Sequence, residues 1–282
     1  MLELLQQQFV INAFIAGTLI AFIAAIVGYF VVLRAQAFAA HALSHVGFAG
    51  ATLSALLGIS ALLGMSGFTV VAALGMGALG KRIRGRDVEI GMILSFALGL
   101  GVLFLRLYTS SASEAVGVLF GSILSVTQSN IDWTIILGVG TLIILAAIFR
   151  PLLFSSIDPE VAEARGVPIK VLSIIFMFLL AITVAESIQV VGVLLVFALI
   201  VAPAAAAQHL TRKPFSAIFI SIALGVAFTW GGIFLALATN WPVSFYIAAL
   251  AAVTYFVAIK IGHLIHPHRD TQEHPGKEIV AA

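Results

Sequence analysis

The chain has 282 residues, of which 62% are hydrophobic and 9% charged, with a formal net charge of +2. An ordinary soluble domain carries about 25% charged residues, so this composition excludes a water-soluble globular protein and points to a polytopic membrane protein. Cysteine is absent, which excludes disulfides and thiolate metal sites, and the small net charge gives no basis for nucleic-acid binding.

A spanning helix needs about 20 mainly apolar residues. Leu4–Leu33 carries no charge and predicts a first span over roughly Val10–Leu33. Met1–Gln8 has no basic residue, so this segment reads as a span rather than a cleavable leader. Ala35–Gly80 also lacks Lys, Arg, Asp and Glu, and fits two spans with a turn region at Gly58–Gly67. A basic connection follows, "KRIRGRDVE" (Lys81–Glu89), and then a span over Ile90–Leu105. Tyr108–Asn130 contains "SEAVGVLFGSILSV", too short to cross, and reads as an outer loop with a re-entrant or interfacial helix. Trp133–Phe149 crosses again. Arg150–Lys170 is polar, and Asp158 followed by Pro159 predicts the start of a short helix, with Asp as the cap and Pro in the first turn. Val171–Ala185, Ile188–Ala207, Phe215–Ala238 and Val243–Ile261 complete the set.

The expected fold is therefore all-α, a bundle of about nine transmembrane spans over residues 1–262, followed by a polar tail at 263–282. Eight spans is the alternative if the first segment does not cross. Of the 14 Lys and Arg residues, all but Arg106 fall on one face of this map. The excess of positive charge marks the cytoplasmic side, so the N-terminus is expected outside and the C-terminus in the cytoplasm.

The chain lacks a G-x-x-x-x-G-K-[ST] loop, a G-x-S-x-G elbow and an H-E-x-x-H pair, so no nucleotide-binding or enzymatic seat is visible. The candidate chemistry lies in "QAFAAHALSHVGFAGATLSALLG", Gln36–Gly58, which holds His41 and His45 in a charge-free tract. Positions i and i+4 share a helix face, and imidazole is a ligand for zinc, copper, iron and nickel. Two readings stand side by side: a face that holds a divalent ion with positions left open for its release, or two histidines that cap or hydrogen-bond neighbouring helices. Ionisable groups inside spans commonly face a pathway or the bundle interior. Glu186 is read first as an interfacial carboxylate near the outer end of its span, and second as a weak attractor for cations. Pro203 lies inside a span, where it removes a backbone hydrogen bond and suits a gating or packing element. The tail holds His263, His266, His268 and His274, which read as solvated, with weak metal binding as the alternative.

Four stretches together resemble the permease subunit of bacterial ABC importers for zinc, manganese and iron, the ABC-3 family. They are "VGYFVVLRAQAFAAHALSHVGFAGATLSALLG", "RGRDVEIGMILSFALGLGVLFL", "LFGSILSV" and "IDPEVAEARGVP" with "QVVGVLLVFALIVAPAAAAQHL", in chain order. The likeness extends over roughly residues 10 to 260. It implies a permease domain over residues 1–262 that is not itself an enzyme, ABC ATPase subunits as partners, and a periplasmic or lipoprotein metal-binding protein that supplies the ion. It also implies a homodimer or a heterodimer of permeases in the cytoplasmic membrane. The family pattern on the second helix is Asp-x-x-x-His. His45 falls on the family His, and His41 stands where the family has Asp, so this chain departs from the pattern at one of two ligands. Trading a carboxylate oxygen for an imidazole nitrogen leans away from manganese and toward zinc or another late metal. Residues 158–167, with Asp158, Glu160, Glu163 and Arg165, correspond to the coupling helix that docks on the ATPase. No permanently bound cofactor is implied; the transported divalent metal is the cargo. The competing readings are an ABC permease for a metal chelate or vitamin, and a stand-alone cation carrier.

Overall fold

A backbone surrounded by hydrocarbon must satisfy its own N–H and C=O groups, and a helix does so within one segment. The computed structural model describes residues 6–78, 86–108, 121 and 123–265, and among these every regular element is helical. In chain order they are α1 (Gln8–Leu33), α2 (Ala37–Leu57), α3 (Ala61–Ala78), α4 (Arg86–Leu107), a 3-10 turn (Ile123–Ser125), α5 (Gln128–Ile157), α6 (Pro159–Ala164), α7 (Ile169–Val191), α8 (Val193–Leu210), α9 (Pro214–Thr239) and α10 (Val243–Ile265). Among the described residues nine helices, all but α6, are long and apolar enough to cross a membrane, in agreement with the number of spans expected from the sequence.

Helix α1 is the axis of the bundle and packs against α5, α7, α8 and α9. Helix α2 forms a second group with α3 and α4, which joins the rest through α7 and α8. Small residues permit these approaches, as they do where lipid supplies no hydrophobic drive between helices. A Cβ on Gly28 of α1 would sit 1.9 Å from the carbonyl oxygen of Ile200 on α8. A Cβ on Gly50 of α2 would sit 2.3 Å from the carbonyl oxygen of Gly64 on α3.

The helix boundaries depart from expectation in three places. The turn after α2 is short: Gly58 takes the left-handed conformation (φ 67°) and α3 begins at Ala61, so Gly64 and Gly67 are helical. Gly64 is small because Gly50 and Ser54 lie against it, not because the chain reverses there. Helix α5 runs 30 residues, through Arg150 and Pro151 to Ile157. At 1.5 Å per residue this is roughly 45 Å, longer than a hydrocarbon layer of about 30 Å, and Arg150 within it is exposed. Helices α7 and α8 part at Gly192 (φ 83°), not at Glu186–Ser187.

That last shift moves Glu186 inside α7. It is 1% exposed, its Oε2 lies 3.8 Å from where a Cβ on Gly138 of α5 would be, and Ile23 of α1 borders the same spot. The expectation of an interfacial carboxylate is therefore corrected: neither carboxylate oxygen has a hydrogen-bond partner, and the side chain sits among α1, α5 and α7. The charge suggested a membrane boundary, but the glycine with positive φ makes the break.

Residues 109–120 and 122, most of the expected Tyr108–Asn130 loop, lie outside the described residues; the 3-10 turn and the start of α5 occupy its end. So do residues 81–85 of the basic connection, after which Asp87 and Glu89 lie in the first turn of α4, where negative charge suits the helix dipole. Helix α10 continues to Ile265 and includes His263. His266, His268 and His274 lie outside the described residues.

Two stability effects follow. Gly28→Ala forces α1 and α8 apart and is expected to cost about 1–3 kcal/mol, read as a lower thermal midpoint of the purified protein in detergent. Glu186→Met removes a buried carboxylate that has no partner, so its midpoint should equal or exceed that of the parent; a lower midpoint would show that the carboxylate holds the bundle together.

Candidate functional site

Helix α2 enters the bundle from a three-residue turn, Arg34–Gln36. The Arg34 N–H donates to the Phe30 carbonyl (2.9 Å) and the Gln36 N–H to the Val31 carbonyl (2.8 Å), which closes α1, while Ala35 takes a positive φ of 52°. The chain then resumes as an Ala-rich helix. The helical period brings His41 and His45 to one face, with ring centroids 4.8 Å apart and planes at 83°. Phe197 of α8 meets the His41 ring edge-to-face at 5.2 Å. Both histidines are half-buried.

The polar contacts leave this face available. The Ser44 hydroxyl donates to the Ala40 carbonyl at 3.0 Å, within its own helix. The Nδ1 atom of His45 is buried with no hydrogen-bond partner. The reading in which the pair hydrogen-bonds neighbouring helices therefore finds no support at this atom. Among the described residues, no group of three or more His, Asp or Glu side chains is placed to hold a metal ion. The pair offers two neutral nitrogen donors at most, an arrangement with open coordination positions rather than a closed cage.

Glu186 does not join this pair. Ile188, two residues on and on the opposite side of α7, meets α2: a Cβ on Gly47 would lie 2.3 Å from its Cδ1. The Glu186 carboxylate points the other way, toward α5 and α1. Pro203 is buried inside α8, six residues beyond Phe197.

The second candidate set lies on α6, at the end of the bundle where Arg34, Arg150, Lys170 and Arg212 are also found. The Asp158 side chain accepts from the Val161 N–H at 3.0 Å, and Pro159 opens the helix, as the sequence pattern predicts. This carboxylate is thus committed as a helix cap. Arg165 lies over the ring of Phe154 on α5, 5.6 Å from its centroid. Ala162 is fully buried and anchors the helix, while Glu160, Val161, Glu163 and Arg165 are exposed.

One residue of this region was read from the sequence only as a topology marker. The Arg34 guanidinium donates from Nη1 to Ser156 Oγ on α5 (3.2 Å) and from Nη2 to Ser173 Oγ on α7 (3.4 Å). It also lies over Phe176 at 5.6 Å. Its isolation between two uncharged tracts was the available signal; its partners, more than 100 residues away, were not.

The match to known proteins runs nearly end to end. The model of the ABC 3 transport family matches residues 6–262. The manganese import system permease protein ScaB of Streptococcus parasanguinis is 32% identical over 257 residues, 91% of each chain. The manganese transport system membrane protein MntC of Listeria monocytogenes is 29% identical over 90% of this chain and 91% of its own. The high-affinity zinc uptake system membrane protein ZnuB of Haemophilus influenzae is 30% identical over 79% of this chain and 86% of its own. Among solved structures, PsaBC from Streptococcus pneumoniae in complex with Fab superposes with a TM-score of 0.81 at 29% identity, covering 90% of this chain and 92% of that one. With the family model matched over residues 6–262 and relatives at this identity over most of both chains, the chain belongs to the ABC 3 transport family.

Proposed function

We propose that the chain is the permease subunit of an ABC importer that carries a divalent transition-metal ion across the cytoplasmic membrane. The observation that carries this reading is the His41–His45 pair, with a buried and unpartnered ring nitrogen, in a family whose members include manganese and zinc uptake proteins. The excess of Lys and Arg at one end supports a cytoplasmic orientation for that end, with the N-terminus outside and the C-terminus inside. Helix α6, with Glu160, Glu163 and Arg165 exposed, is the contact for an ATPase subunit. Hydrolysis of ATP belongs to that partner, and this chain is not an enzyme.

A metal-binding protein delivers the ion from outside, and two permease chains, identical or paralogous, enclose its path. The ion is cargo and not a resident cofactor. His41 and His45 form a passing site: two neutral donors attract a late transition metal but hold it weakly, and transport requires both entry and exit. The second imidazole favours zinc as the cargo over manganese and iron, because nitrogen donors suit later metals.

Two experiments test this. In the assembled transporter with its ATPase and binding protein, His41→Ala/His45→Ala is expected to cut metal uptake at least about ten-fold, the loss of roughly 1.4 kcal/mol or more of site affinity, while the subunits still co-purify. Unchanged uptake of the ion would remove the pair from its path and favour a chelate or vitamin as cargo. His41→Asp is expected to raise manganese uptake relative to zinc in the same assay; an unchanged ratio would overturn the zinc preference.

A further inference from the structure

The helix that carries the histidine pair makes few direct contacts with α1, although only three residues join them. The last turn of α5, helix α6 and the first turns of α7 form a U at the basic end, with α6 as its base. Ala162 of the base is fully buried, and Arg165 at the end of α6 lies over Phe154 of one arm. Across the mouth of this U lies the guanidinium of Arg34. One nitrogen reaches Ser156, two residues before the α6 cap, and the other reaches Ser173 on the opposite arm. The cation also rests on the ring of Phe176. Arg34 caps the C-terminal end of α1, directly after Leu33, and is the first residue of the turn into α2, and His41 follows seven positions later.

From this arrangement we infer that Arg34 is a positioning residue that transmits displacement of α6 to α2, and so to His41 and His45. A planar guanidinium engages two arms at once with fixed angles between its donors, which a lysine ammonium does not. When α6 shifts, Ser156 and Ser173 move with the arms of the U, and the guanidinium follows them. The shift then reaches α2 through the three-residue turn, not through packing between α1 and α2. This inference rests on the reading of α6 as the ATPase contact. The physical connection runs from α6 along the chain to Ser156 of α5, from there and from Ser173 of α7 to Arg34, and from Arg34 through the turn to α2; coupling requires that both ends bias this connection.

The test uses the full transporter with its ATPase and binding protein. The chain has no cysteine, so Phe38→Cys, at the partly exposed start of α2, gives a single thiol whose maleimide labelling rate reports movement of this helix. Labelling is compared with and without ATP plus vanadate, alongside metal moved per ATP hydrolysed. The parent with the reporter is expected to change its labelling rate on nucleotide trapping. In Arg34→Ala that change should shrink, and metal moved per ATP should fall about ten-fold, within the range typical of coupled sites. ATP hydrolysis by the partner should continue. Arg34→Lys should fall between the two. Ser156→Ala/Ser173→Ala removes both acceptors with little change of volume, and should show the same smaller labelling response and lower metal per ATP, which keeps the test available where Arg34→Ala does not fold.

A purely structural role would lower the thermal midpoint and leave the nucleotide response intact, which would overturn the inference. An equal response in parent and variants would overturn it as well, while leaving α6 as the ATPase contact. No response in the parent would overturn the reading of α6 and this inference together.

Discussion

The hydrocarbon layer offers no partner to a polar group, and this constraint governs the molecule from backbone to site. It selects helices, and it turns buried hydroxyls back onto their own helices. Thr52, Ser54, Thr183, Ser187 and Thr229 each donate to a carbonyl three or four residues earlier. Thr69 does this and also reaches the Ala181 carbonyl of α7 at 3.3 Å, which joins two helices. With lipid as apolar as leucine, close fit and not hydrophobicity brings helices together, hence the glycine crossings of α1 with α8 and of α2 with α3. Against this background a buried polar atom without a partner is an exception, and His45 Nδ1 and the two Glu186 carboxylate oxygens are among the few such atoms in the described residues.

The number and order of spans were legible because charge-free length is a direct readout of membrane crossing. Boundaries were less so. Gly64 and Gly67 looked like a turn, since composition alone does not separate a glycine that bends the chain from one that admits a neighbouring helix. Glu186 looked like an edge because a carboxylate is costly in lipid, but it lies in a protein interior, and the break at Gly192 depends on a backbone angle. The His41–His45 face followed from the 3.6-residue period, and the Asp158–Pro159 cap from local chemistry. Phe197 beside His41, and the serines that receive Arg34, depend on contacts between distant segments. No local pattern encodes them.

The arrangement separates two tasks in space. The imidazole pair lies between α2 and α8, and the exposed short helix lies at the basic end, on the loop between α5 and α7. In the proposed importer the ion meets two imidazoles on α2, while charged side chains are exposed on α6. The Glu186 carboxylate belongs to neither task by position: it faces α1 and α5, away from α2.

The turn into α2 has one further consequence. Ala35 occupies a left-handed conformation that glycine would adopt freely and that costs an L-residue about 1 kcal/mol. A glycine there would make a loose swivel, absorbing rotation of α1 before it reached α2. An alanine narrows the accessible angles and makes the joint an elbow of fixed bend. The chain gives up a little folding energy at this position and gains stiffness, so that torque applied on one side of the elbow appears on the other.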